Sequence, residues 1–181
     1  MTPRLNYYSF FFAALILSAS LLIGAWVFQY GFGYAPCQMC YWQRHAHKAV
    51  IVLSAVFCGL FLLRGRALSP FLARLGTRLI TLAFLVSTGL ALWHVGVEQG
   101  FIEALPSCSG GDVDLDAITG GDVLGSLSNK IKPPACSDIP WSLMGISMAG
   151  YNALFSALGA VLGGLAGAAS KRALVEAKAS A

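Results

Sequence analysis

Long uncharged apolar runs constrain this chain more than any other feature. Only 11% of its 181 residues are charged and 57% are hydrophobic, against roughly 25% charged in an average soluble domain. The apolar residues gather in blocks of the length that crosses a hydrocarbon core of roughly 30 Å. The pattern argues against a soluble globule and for an all-α integral membrane protein. Once several of its 12 basic residues are assigned to membrane topology, too few are left for a nucleic-acid footprint.

Four spans are expected, over about 9–29, 43–63, 78–97 and 142–168, in a single membrane domain covering 1–181 with no internal repeat. Arg4 precedes the first as in a signal peptide. The uncharged run is longer than the roughly 7–15 residues of a signal peptide's apolar region, and Ser18-Ala19-Ser20 sits in its middle, so it reads as a retained span. A turn marked by Gly31, Gly33 and Pro36 leads to the second span, where Arg44 and Lys48 can snorkel to the interface. His94 lies near the far end of the third span. The fourth carries Gly145, Gly150, Gly159, Gly163, Gly164 and Gly167, small residues that let membrane helices approach closely. A four-transmembrane-helix bundle with two outer loops follows.

The basic residues orient it. Arg4, Arg64, Arg66, Arg74, Arg78, Lys171, Arg172 and Lys178 fall on one side, against Arg44, Lys48, Lys130 and Lys132 on the other. Eight against four favours cytoplasmic termini. The outer connection, about 98–140, contains Gly110-Gly111, Gly120-Gly121 and Pro133-Pro134, which mark turns. Within it, Val113, Leu115, Ile118, Val123, Leu124, Leu127 and Ile131 suggest a short helix on the membrane surface.

This orientation puts Cys37, Cys40, Cys108 and Cys136 outside and Cys58 within the second span, where it reads as a small buried hydrophobe. Four outward cysteines suit an oxidising compartment. Cys37 and Cys40 form a C-x-x-C at a helix entrance, where backbone N–H groups and the helix dipole favour a thiolate. Arg44 lies one turn beyond Cys40, placed to hold its thiolate or a polar ligand head. A zinc site completed by His45, His47 or the distant cysteines would keep Cys108 and Cys136 unpaired in an oxidising compartment, so no metal is expected. Tyr41 after Cys40 excludes a c-type haem motif. Inert structural disulfides are a further alternative. That reading suits Cys108 and Cys136, whose loop closure would be worth about 3 kcal/mol, better than the short C-x-x-C loop, where a reactive disulfide is more credible. His94 and Glu98, one turn apart, either face a ligand near the C-x-x-C or bond each other. His45 and His47 read as interfacial.

Cys37-Gln38-Met39-Cys40-Tyr41-Trp42-Gln43-Arg44 opens the second span, Cys108 and Cys136 lie in the second outer loop, and Cys136-Ser137-Asp138-Ile139-Pro140-Trp141 leads into the fourth span. In order, spacing and topology, over nearly the whole chain, this resembles the disulfide bond formation protein B (DsbB) family. The resemblance implies a thiol oxidase of the bacterial inner membrane, with periplasmic redox loops. It would re-oxidise a periplasmic DsbA-like dithiol protein and pass two electrons to a membrane quinone, ubiquinone or menaquinone. It further implies that Cys108, in the mobile loop, takes the partner's thiolate and releases Cys136, which attacks Cys37. Cys40 then faces the quinone beside Arg44. Gln43 stands where some members carry glutamate before the arginine, and His94 or Glu98 is expected to take over any proton relay at the quinone site. Two other readings stand beside it. One is a vitamin K epoxide reductase-like quinone reductase, in which the redox C-x-x-C would come late in the chain. The other is a non-catalytic four-span scaffold stapled by two disulfides.

Overall fold

The structure, a computed structural model, describes residues 3–64, 69–108 and 134–179. Four helices dominate it: α1 (Pro3–Trp26), α2 (Gln38–Arg64), α3 (Pro70–Glu98) and α4 (Met148–Ala179). Each contains a stretch long and apolar enough to cross a membrane: Tyr7–Gly31, Gln38–Leu63, Pro70–Glu98 and Met148–Ala169. The chain is an all-α, four-helix membrane protein. The expected surface helix between Val113 and Ile131 lies outside the described residues.

Local chemistry sets the helix ends. Ser69 caps α3 by accepting the Leu72 N–H at 3.3 Å, and Pro70 follows where its missing N–H costs nothing. Gly100, at φ 72°, closes the other end. After α1 the chain widens into a π-helical turn, Val27–Gly31, before reaching α2.

The fourth helix departs from the reading of the sequence. Residues 142–147, expected within span four, form a hairpin of β1 (Ser142–Leu143) and β2 (Ile146–Ser147), and α4 starts at Met148. Met144 and Gly145 both take positive φ, 51° and 78°, as a two-residue hairpin turn with the strands' own twist requires. Apolar residues in such a hairpin look like helix to any hydropathy reading. Gly145 therefore turns the chain and takes no part in helix packing.

Lower in α4, glycines do bring helices together. A Cβ on Gly159 would meet the Phe84 ring of α3 at 2.8 Å, and one on Gly163 would collide with Thr81 Oγ1 and approach Phe10 of α1 at 2.8 Å. The core between the helices is aromatic and aliphatic, with Phe11, Val50, Ile80 and Phe84 fully buried and Cys58 among them as a small apolar filler. A second, separate cluster occupies the end of the bundle where α1 hands over to α2 and α3 to the long connection, and it contains Cys37, Met39, Val97, Cys108 and Cys136.

Candidate redox site

Cys37 is the residue before α2, and its sulfur accepts the Cys40 N–H at 3.3 Å in the manner of a helix N-cap. The two sulfurs lie 2.9 Å apart, with Cys37 donating to Cys40. That hydrogen bond, together with burial, pushes the Cys37 thiol up to about 12 from an ordinary value near 9. Cys37 is the proton-holding sulfur of the pair, and Cys40 is the acceptor.

Cys108 and Cys136 arrive from the other connection. Cys108 closes a 3₁₀ turn, Pro106–Cys108, by donating its N–H to Leu105 at 2.7 Å, and its carbonyl accepts the Cys136 N–H at 2.9 Å. Cys108, Met39 and Cys37 are the neighbours that act on the Cys136 thiol. Burial raises it, and the contacts with Cys108 and Met39 hold part of that rise back. Four cysteines distant in sequence thus share one apolar cluster, with Trp42, Trp93 and Leu105 packed around it. Cys108, expected in a mobile loop, is 2% exposed, with Ala104 and Leu105 packed into the same apolar cluster. Cys40 is the least buried of the four.

Arg44 lies one turn after Cys40, as its spacing predicts, but its fork turns toward the first helix. One nitrogen donates to Gln29 Oε1 in the π turn and another to the Ala25 carbonyl at 3.1 Å, while the guanidinium lies 5.6 Å from the Tyr41 ring. The π turn brings Gln29 to Arg44, a placement that no residue pattern announces. Beside these groups opens a cavity of about 360 Å³, walled by Leu21, Phe28 and Trp141 and reached by Cys40, Arg44 and Gln43. Its wall is mostly apolar, and Arg44, His94 and Glu98 are among the polar side chains that line it.

His94 reaches the cysteines from α3. Its Nε2 lies 3.5 Å from Cys37 Sγ and 3.9 Å from Glu98 Oε1, and its Nδ1 meets the Gln43 amide nitrogen at 2.8 Å. His94 thus faces the thiols and stands 3.9 Å from Glu98, beyond hydrogen-bond distance. Glu98 accepts a 2.5 Å hydrogen bond from Ser147, the residue that also caps α4 through the Gly150 N–H. The sulfurs of Cys37 and Cys40 and the His94 nitrogen lie within 4.8 Å of one another.

The sequence reading missed one cluster. His47, taken as interfacial, is 4% exposed between helices, where its Nε2 meets Asn152 Oδ1 at 2.6 Å and its Nδ1 meets Ser18 at 3.3 Å. Asn152 in turn donates to Gln43 Oε1 at 2.6 Å. The available signal was the lone polar residues Ser18, Gln43, Ser87, Asn152 and Ser156 in otherwise apolar spans. His45 is exposed, as an interfacial residue should be.

A family model described as "Disulfide bond formation protein DsbB" matches residues 7–166. No curated protein and no solved structure matches the chain.

Proposed function

The chain belongs to the disulfide bond formation protein DsbB family, and from that membership we propose a membrane thiol oxidase that re-oxidises a periplasmic DsbA-like dithiol protein at the expense of a membrane quinone. The observation that carries this reading is the gathering of two cysteine pairs in one buried cluster, with Cys40 beside an apolar cavity and Arg44. A chain of exchanges needs sulfurs within reach of one another, and a lipid-soluble acceptor needs a hydrocarbon-walled site.

In the proposed sequence the partner's thiolate attacks Cys108 of a Cys108–Cys136 disulfide, and the bonding pair leaves on Cys136. Cys136 attacks Cys37 of the Cys37–Cys40 disulfide, and the pair moves on to Cys40. The partner's second thiolate then cleaves its bond to Cys108 and completes the partner's own disulfide. Cys108 attacks Cys136, re-forming that disulfide and leaving Cys37 reduced beside Cys40. Two electrons and two protons have left the partner and reside on the C-x-x-C. A quinone, when bound, accepts two electrons and two protons.

The residues of the chain do the remaining work. Arg44, tethered to Gln29 and Ala25, presents positive charge at the cavity where Cys40 leaves as a thiolate, and Cys37 holds a proton once Cys108 has displaced it from Cys136. Cys108, buried at rest, must be uncovered when the partner docks on the outer loop.

The test is quinone reduction by the purified chain in detergent, started by a reduced DsbA-like partner. Turnover lost in both Cys40→Ala and Cys108→Ala supports the relay. Absent turnover with ubiquinone and menaquinone, together with cysteines inert to alkylation after mild reduction, overturns it.

A further inference from the structure

His94 sits among acceptors. Cys37 spends its one proton on Cys40, so toward His94 Nε2 at 3.5 Å its sulfur can only accept. The Glu98 carboxylate, a second acceptor, lies 3.9 Å from Nε2. Nε2 therefore carries hydrogen. What Nδ1 carries depends on the one group facing it, the amide of Gln43 at 2.8 Å.

The neighbours of that amide continue as a chain. Gln43 Oε1 accepts from Asn152 Nδ2 at 2.6 Å. The Asn152 oxygen accepts from His47 Nε2 at 2.6 Å and from the Ser156 hydroxyl at 3.1 Å. The Ser18 hydroxyl, 3.3 Å from His47 Nδ1, supplies a donor there, and the Ser87 hydroxyl lies 3.3 Å from Nε2. In this arrangement every donor meets an acceptor, and the chain ends with an N–H of Gln43 facing His94 Nδ1.

We propose that Gln43, Asn152 and His47 are positioning residues that deny a proton to Nδ1 of His94, holding the ring neutral with its Nε2–H directed at Cys37. A neutral donor steadies the Cys37 sulfur when a bond to it breaks. An imidazolium there would hold the thiolate as an ion pair and blunt its reactivity, since nucleophilicity falls as a thiolate is stabilised. The inference deepens the oxidase reading and rests on it for its purpose, but its test does not involve turnover.

The measurement is long-range 1H–15N NMR of the full chain, labelled at histidine and embedded in lipid nanodiscs, with signals assigned by single His→Gln variants. In the unmodified chain both His94 and His47 should show a hydrogen-bearing Nε2 and a bare Nδ1. Asn152→Asp can only accept, so the Gln43 amide turns, its Oε1 faces the ring, and His94 Nδ1 should gain a hydrogen. His47 still donates through Nε2 to the new carboxylate, and a cooperative thermal unfolding transition reports that the bundle is intact. Gln43→Glu presents an acceptor to Nδ1 directly and should give the same change if Asn152→Asp fails to fold. A protonated Nδ1 of His94 in the unmodified chain overturns the proposal, as does a bare Nδ1 in either folded variant. Loss of quinone turnover with these signals intact would count against the oxidase reading alone.

Discussion

Cys37 holds its proton about three units more tightly than an ordinary thiol, at about 12 against 9.0, because it donates to Cys40 and is buried. Burial also raises Cys136. Both should react slowly with iodoacetamide at pH 8 in the reduced chain, with rates still climbing toward pH 10. The same shift bears on stability. A thiol whose folded value lies above its unfolded one favours the fold below the unfolded value and loses that contribution as pH rises toward the folded one. The reduced chain should therefore lose thermal stability between about pH 9 and 12, and Cys37→Ser should flatten that slope. An identical slope in the variant would remove Cys37 as its source. At this scale the sequence was legible where chemistry is local. The C-x-x-C at a helix start and Arg44 one turn on follow from spacing alone, whereas the partners of Arg44 and His47 come from α1, α3 and α4 and no local pattern carries them.

Elements were legible as far as hydropathy distinguishes them. It found four helices, but it merged the hairpin at 142–147 with α4, because Leu143, Met144 and Ile146 are as apolar as the helix that follows. The hairpin matters because it delivers Ser147 both to the head of α4 and to Glu98. Gly145 at φ 78° makes that turn, so Gly145→Val should cost about 1–3 kcal/mol and weaken the Ser147 to Glu98 contact. Thermal unfolding in detergent tests this, and an unshifted midpoint would count against it. Helix packing offers a sharper comparison between neighbours. Gly163 faces Thr81, whose hydroxyl is tied to the Thr77 carbonyl at 2.7 Å and cannot yield, while a Cβ on Gly164 meets nothing within 4 Å. Gly163→Ala should destabilise by about 1–3 kcal/mol, and Gly164→Ala should be neutral or gain up to about 1 kcal/mol from helix propensity. Equal effects at the two positions would mean that α3 and α4 do not meet there.

At the scale of the whole molecule, chemistry and topology depend on each other. Residues 27–37, 99–108 and 134–147 lie at the same end of the bundle, since their cysteines share one cluster, and Arg64 and Ser69, which end α2 and precede α3, lie at the other. A relay from a soluble thiol partner to a lipid-soluble acceptor works in this arrangement only if the cysteine end faces the oxidising compartment. The distribution of basic residues, eight against four, favours that orientation by a force unrelated to sulfur chemistry. With all five native cysteines replaced, single cysteines at Gly33 and Gln99 should label with a membrane-impermeant maleimide added to intact cells. One at Ser69 should label only after the membrane is opened. Labelling of Ser69→Cys in intact cells would put the redox cluster in the reducing compartment, where thiols are kept reduced and a disulfide-forming relay would have no product that lasts.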